Sequence, residues 1–390
     1  MAAERASFSS VMVHVSETTF KNNTAAKGAG FANYGPSDGQ RVKVTLLRST
    51  FGPNNVATGD GGGIYSLSQI DWAENLTIYN NRAARGAGLF HDSGGESHVF
   101  HSTITDNVAT QANGGAGMWL TTGNPIYAYN IIAQNKVGAT TNNVVTTNAS
   151  LSASYNLLDN VSGVSAVFPT ASSGGTNIVA NPQLGSFGFY GGPTYVRPLL
   201  ASSPALDAIP SSVGDSVNID QRGWWRPIDS NLNGYDSFDI GAVEMNAAAT
   251  LLEAESLTVA AQSGETLGID SHVNYSGGQA RRKQANQNGY FTLQTGTLQP
   301  GTYGVIIRFK KANNAGRFQL AVGTSAGSTT NLGAAQDTYN GSNQWSSVNL
   351  GTITITSAGT RYFKFTATGK NAASSGYWMF IDAIQLYQSS

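Results

Sequence analysis

Phe20-Lys-Asn-Asn-Thr-Ala-Ala-Lys-Gly-Ala-Gly30 returns as Phe51-Gly-Pro-Asn-Asn-Val-Ala-Thr-Gly-Asp-Gly-Gly-Gly63 and as Ile78-Tyr-Asn-Asn-Arg-Ala-Ala-Arg-Gly-Ala-Gly88. A further copy runs Ile104-Thr-Asp-Asn-Val-Ala-Thr110 and ends in Gly114-Gly-Ala-Gly117. The marker asparagines are Asn23, Asn55, Asn81 and Asn107, separated by 32, 26 and 26 residues; weaker copies end at Asn135 and Asn160. A period in the twenties, with short apolar segments between Asn and Gly turns, predicts a solenoid of stacked parallel coils. One aligned column holds Phe20, Phe51, Ile78, Ile104 and Ile132, and a second holds Phe31, Ile64, Leu89 and Met118. Both are wholly apolar and are expected inside, each residue about 4.8 Å above its counterpart. The asparagines are expected at the bends, in left-handed backbone and bonded to their equivalents above and below.

Side chains alternate along a strand, so the residue after the second column points outward. That outward set reads Ala32, Tyr65, Phe90 and Trp119. Three successive rings make a flat strip on which a sugar ring or a partner protein stacks.

Composition supports an all-β chain. Of 390 residues, 12% are charged, about half the usual share. Gly, Ser, Thr and Asn fill the gap and favour turns and strands over helix. The net charge of -1 gives no broad field for nucleic acid or anionic membrane. There is no cysteine, hence no disulfide or thiolate metal site, which fits a secreted bacterial protein. No apolar run reaches the roughly 18 residues of a membrane span, and no signal peptide is visible. Repeat-like sequence begins by Val11, so the first coil is expected either to follow a removed segment or to stand uncapped. An uncapped edge recruits strands from other chains, and a head-to-tail contact that does not close gives a filament.

From 181 to 244 six short motifs follow in order: Asn181-Pro-Gln-Leu-Gly, Tyr190-Gly-Gly-Pro-Thr-Tyr, Ser203-Pro-Ala-Leu-Asp207, Asp220-Gln-Arg-Gly223, Arg226-Pro, and Asp239-Ile-Gly-Ala-Val-Glu244. This block resembles the end segment of secreted bacterial β-helix proteins grouped as choice-of-anchor proteins. The resemblance implies a right-handed parallel β-helix at residues 1–180 with a closing segment at 181–245, outside the cell or on its surface. Within the block, Arg222 and Asp220 beside Trp224 are expected to tie the last coil together by a bidentate ion pair and ring stacking.

After a short joint the texture changes at Leu251 to alternating strands such as Tyr303-Gly-Val-Ile-Ile-Arg-Phe and Phe380-Ile-Asp-Ala-Ile-Gln-Leu. Such spacing predicts an antiparallel sandwich over 251–390. The ordered set Leu252-Glu-Ala-Glu255, Pro300-Gly-Thr-Tyr303 and Ile381-Asp382-Ala-Ile resembles the jelly-roll carbohydrate-binding modules that carry a structural calcium. The resemblance implies that Glu253, Glu255 and Asp382 meet where the terminal strands lie side by side and hold Ca²⁺ there. Many sugar-binding relatives place Asn two residues before the late Asp, where this chain has Phe380. Tyr339, Tyr377 and Trp378 lie in loop-like sequence and suit sugar stacking. A second calcium candidate is the alternating oxygen pattern Asp229-Ser-Asn231-Leu-Asn233-Gly-Tyr-Asp236, whose expected twelfth-position glutamate is instead Ile240.

For catalysis on the solenoid, the best cluster is His91, Asp92, His98 and His101, near the ring strip; no motif of the known pectin-degrading β-helices appears. The sequence thus reads as a non-catalytic extracellular structural or adhesive protein that binds polysaccharide and assembles into filaments or matrix. The competing reading is a polysaccharide lyase or glycoside hydrolase with an appended binding module.

Overall fold

The computed structural model describes residues 11–35, 42–147, 149–171, 175–190, 192–213, 217–228, 237–245, 250–264, 267–272 and 274–389. It is all-β, a parallel solenoid together with an antiparallel sandwich. The chain divides into two compact units, one drawn from Met1–Phe189, Thr194–Gly214 and Phe238–Met245, the other from Tyr190–Pro193, Asp215–Ser237 and Asn246–Ser390.

In the first unit the early coils each contribute one strand to each of four sheets, and the later coils reach only some of them. The first sheet starts Val11–Ser16, Val42–Leu47 and Ile70–Glu74, and the second Thr19–Phe20, Thr50–Phe51 and Thr77–Tyr79. The third starts Thr24–Ala25, Val56–Ala57 and Arg82–Ala83, and the fourth Phe31–Asn33, Ile64–Ser66 and Leu89–His91. The parallel register superposes the two apolar columns: Phe20, Phe51, Ile78, Ile104 and Ile132 in one, Phe31, Ile64, Leu89 and Met118 in the other. The Phe20 and Phe51 rings stack at 5.1 Å. Each fully buried side chain of this kind stabilises the stack by about 1.5–3 kcal/mol, which a lone coil could not gain.

The asparagine column forms a ladder. Asn23 Nδ2 donates to Asn55 Oδ1 at 3.0 Å, Asn55 to Asn81 at 3.0 Å, Asn81 to Asn107 at 2.9 Å and Asn107 to Asn135 at 2.9 Å. The left-handed residue of each bend is the one before: Asn22, Asn54, Asn80, Asp106 and Gln134. The marker asparagines are therefore cross-links between coils, buried from Asn55 to Asn135, rather than the left-handed bend residues. Beyond Asn135 the ladder passes to Asn143 at 3.2 Å rather than to Asn160, because Lys136–Val137 turns back on Thr140–Thr141 as an antiparallel pair. Glycines recur where coils touch: a Cβ on Gly63 would lie 2.6 Å from Gly88 O, and one on Gly88 would lie 2.5 Å from Gly117 O.

The stretch 184–189, 194–209 and 238–245 belongs to the same unit as the coils. It runs along the outer face of the second sheet as a strap. Thr50 Oγ1 donates to Tyr195 O at 2.6 Å, Thr194 Oγ1 to Arg48 O at 3.1 Å, and Ala242 N to Thr103 Oγ1 at 3.0 Å. Its Leu199, Ala205, Ile209, Phe238 and Ile240 bury Ile131, Ala133 and Leu157 of that sheet.

The second unit is a sandwich. One sheet orders Leu267–Ser271, Gln279–Lys283, Met379–Ser389, Gly301–Lys311 and Gln344–Ile355, with Thr250–Glu253 also paired to Met379–Ser389. The other orders Thr258–Gln262, Tyr290–Gln294, Tyr362–Lys370, Gly316–Ser325 and Ser328–Asp337. Alternate residues face inward, so Phe291, Leu293, Phe318, Phe363 and Phe365 meet Val305, Ile307, Phe309, Ile381 and Ile384 in one core. The Asp220-Gln-Arg-Gly motif belongs to the same compact unit as this sandwich. Arg222 Nη2 lies 2.6 Å from Asp220 Oδ2, as the ion pair expected from sequence, and the Trp224 ring receives Arg308 at 4.9 Å. Ser347 Oγ donates to Gly223 O at 2.8 Å.

Candidate functional site

The last strand of the sandwich carries an irregularity at its most consequential residue. Arg308 pairs with Ala383 but Phe309 with Ile381, so Asp382 is the extra residue of a β-bulge. Bulges re-aim side chains. Here the bulge sets the Asp382 carboxylate, 0% exposed, beside the first strand, where Glu253 pairs with Ala383.

Asp382 Oδ2 receives Ser276 N at 3.1 Å and lies 2.7 Å from Arg308 Nε. Ser276 Oγ donates to Glu253 Oε1 at 2.7 Å. Gly277, left-handed at φ 63°, brings the turn close: a Cβ there would sit 3.3 Å from Glu255 Oε1. One oxygen of each acid is buried without a hydrogen-bond donor: Glu253 Oε2, Glu255 Oε2 and Asp382 Oδ1. Burial pushes the Glu253 carboxyl above its ordinary range and lifts Glu255 to about 7. Burial also raises Asp382, against the pull of the Arg308 guanidinium. Buried carboxylate oxygens without donors are unfavourable. Hard cations prefer oxygen ligands of this kind. The cluster is open: among the described residues no three such side chains close around one metal position. The second calcium candidate, Asp229, Asn231, Asn233 and Asp236, lies outside the described residues.

At one end of the sandwich three loops converge. The 312–315 turn bridges Ala312 to Tyr339 on one side and Ala315 to Trp378 on the other. Both rings are half-buried. The Trp378 ring stacks on Phe380 at 5.8 Å and 9° and lies 5.5 Å from the Arg282 guanidinium. Phe380, the departure from the sugar-binding pattern, is thus the backing of Trp378. Lys310 Nζ sits 4.0 Å over the Phe380 ring and 2.6 Å from Asp270 Oδ2, which also accepts from Tyr275 at 2.6 Å. Tyr377 lies against Lys370 at 5.3 Å. The sequence reading missed Arg282, Lys310 and Asp270. They come from strands remote in sequence, and only the pairing of Arg282 with Phe380 brings one of them to the rings.

The solenoid residues behave differently. Tyr65 and Phe90 stack at 5.1 Å but keep only 3% and 4% of their surface. Lys27 Nζ lies 5.0 Å over Tyr65, and Arg85 lies 5.4 Å over Phe90 and 5.0 Å over Trp119. Arg85 is fixed there by two bonds to Asp60, at 2.9 and 2.7 Å. Tyr65 and Phe90 are thus buried beside their own cations and offer no open face, a correction to the expectation for these two, while Trp119 is half-buried beneath Arg85.

The catalytic fallback does not assemble. His91 points into the solenoid, bonded through Nε2 to Ser97 Oγ at 3.1 Å, and burial lowers its pKa to about 4. Asp92 accepts from Thr122 at 2.9 Å. His98 is outside, 3.3 Å from Glu96. His101 is buried at a left-handed bend, stacked on Tyr129 at 4.8 Å. The parity that puts Leu89 inside puts His91 inside too.

No protein-family model and no curated protein matches this chain. Partial matches exist among solved structures. A Paenibacillus xanthan lyase is 31% identical over 35% of this chain and 13% of its own, with a TM-score of 0.32. A Podospora anserina GH26-CBM35 β-(1,4)-mannanase is 17% identical over 37% of this chain and 28% of its own, with a TM-score of 0.27. A family 35 carbohydrate binding module from an environmental isolate is 23% identical over 35% of this chain and 91% of its own, with a TM-score of 0.26. The chain thus spans well under two thirds of the lyase and of the mannanase. Overlap this partial leaves the functional argument to the side chains. Among the described residues no helix is long and apolar enough to cross a membrane.

Proposed function

We propose that the protein is a non-catalytic, extracellular glycan-binding scaffold. The sandwich binds polysaccharide at its loop end, with Tyr339 and Trp378 as stacking surfaces and Tyr377, Arg282 and Lys310 around them. Glu253, Glu255 and Asp382 hold a calcium ion through their donor-free oxygens, where it neutralises the three acids and ties the first strand to the last. The observation that carries the reading is the 312–315 turn with a half-buried ring bridged to each side. Half-buried rings among fixed polar groups suit a pyranose, which offers an apolar face and an equatorial rim of hydroxyls. The scattering of His91, Asp92, His98 and His101 weighs against a solenoid active site.

Affinity electrophoresis through a panel of polysaccharides tests this. Retardation by at least one glycan, weakened about fivefold in each of Trp378→Ala and Tyr339→Ala, is expected, since a stacking contact contributes about 1 kcal/mol. New reducing ends or unsaturated sugar from the wild type would replace this reading with a hydrolase or lyase. The proposal includes self-association through the edge strand Val11–Ser16, whose Val11 and Met12 are 51% and 73% exposed. Sedimentation velocity showing only monomer over a wide concentration range removes that part.

A further inference from the structure

The bend between the second and third sheets bears two rows of side chains. The inner row is the buried asparagine ladder. The outer row is Asn22, Asn54, Asn80, Asp106 and Gln134, all left-handed. Its first members bond along the stack, Asn54 Nδ2 to Asn22 Oδ1 at 3.1 Å and Asn80 Nδ2 to Asn54 Oδ1 at 3.2 Å. Two hollows of about 560 and 550 Å³ open beside this row and share Asp106 as a common wall; the strap lines the first through Ser186, Phe187 and Arg197, and Asn181 lines the second. Tyr79 and Phe187 line the first, their rings stacked at 4.2 Å and 8°. At the junction Arg197 reaches from the strap to Asp106 and, at 2.8 Å, to Gln134 Oε1. Lys136 lines the second hollow and is exposed, with its charge acting on Asp106.

We propose that this groove is a second polysaccharide site, taking a linear chain laid along the solenoid axis. The outer row presents polar groups at the coil spacing, about 4.8 Å, which is close to the length of one pyranose unit along its chain. Donors and acceptors intermix: the Asn80 amide, Arg197 and Lys136 beside Asp106 and Asp159. Hydroxyls, which donate and accept, match such a lining. A phosphate would meet both carboxylates. The groups are held by the stack and the strap before any ligand arrives, so little ordering is lost on binding. The acids are not placed for turnover. Asp159 accepts from Gln134 N at 2.9 Å and Asn143 Nδ2 at 2.7 Å, and Asp106 is paired with Arg197. The groove shares no residue with the sandwich rings, so its success or failure is separate from theirs.

The test uses the full chain carrying Tyr339→Ala and Trp378→Ala, with neutral chains (xylan, mannan, mixed-linkage glucan) and uronate chains (polygalacturonate, alginate) as probes. Retained binding to at least one probe is expected. It should fall about tenfold on adding Asn80→Ala and Lys136→Ala, which remove about two hydrogen bonds. Loss limited to uronates would show Lys136 reading a carboxylate, and an equal loss on neutral chains would show hydroxyl recognition by the whole row; each supports the groove. The same glycan should slow amide hydrogen exchange at 79–81, 105–107 and 134–137. Binding abolished by the sandwich substitutions alone, or no slowing at those amides with any probe, overturns the proposal.

Discussion

Replacing Glu255 with Gln separates the two consequences of its burial. Its carboxyl is lifted from an ordinary 4.5 to about 7 by desolvation, with neighbouring Glu253 adding repulsion. A shift of that size corresponds to about 3 kcal/mol between protonation states. Water reaching a partly buried group reduces it to about 1 kcal/mol. The folded value lies above the unfolded one, so the penalty is absent below about pH 4.5 and grows as pH rises through about 7. In a chelator at pH 8, Glu255→Gln should therefore stabilise the sandwich by about 1 kcal/mol, a rise in Tm of about 3 °C. At pH 4.5 the gain should vanish. Calcium should reverse the order. Wild type at a hundredfold excess over Kd should gain about 2.7 kcal/mol, while the variant, short of one charged ligand, should gain much less. Differential scanning calorimetry with and without calcium at the two pH values reads all four states. A variant less stable than wild type in chelator at pH 8, or one that responds to calcium as fully as wild type, would refute the reasoning about the donor-free oxygens.

His91 predicts acid sensitivity of the solenoid. Its folded pKa of about 4 lies below the ordinary 6.5, so stability present above 6.5 is lost as pH falls toward 4, by up to about 3 kcal/mol. Urea midpoints should drop less over that range in His91→Gln; an equal drop would assign the sensitivity elsewhere. Asn81→Ala removes a donor to Phe51 O at 2.9 Å, a donor to Asn107 Oδ1 at 2.9 Å and an acceptor for Asn55 Nδ2 at 3.0 Å. It should cost about 3 kcal/mol by urea denaturation. The half-buried neighbour Asn80→Ala should cost under about 0.5 kcal/mol, and similar losses for the two would deny the ladder its role.

The coil stack was legible because a parallel register repeats one environment in every coil. Phe51, Ile78 and Ile104 therefore had to be alike. The inward turn of His91 was legible by the same alternation. The roof over Tyr65 and Phe90 was not, since strand parity gives a direction and says nothing of long side chains such as Lys27 and Arg85 arriving from adjoining turns. The strap escaped because its partners stand far away in sequence, Tyr195 with Thr50 and Arg197 with Asp106. In the sandwich, the acids Glu253, Glu255 and Asp382 were visible as a pattern. The bulge that aims Asp382, and Ser276 as the link between Asp382 and Glu253, depended on pairings that spacing does not encode.

A stack of coils touching only their neighbours melts from its ends, each winding released almost independently. The lacing between Thr194–Arg197 and Arg48–Gln134 changes that, because Arg48, Thr50, Asp106 and Gln134 belong to windings that do not all adjoin. Fraying that reaches these windings must first detach this shared tether. The laced windings should then give way together in a single sharp transition under heat or tension, rather than in a staircase of small steps.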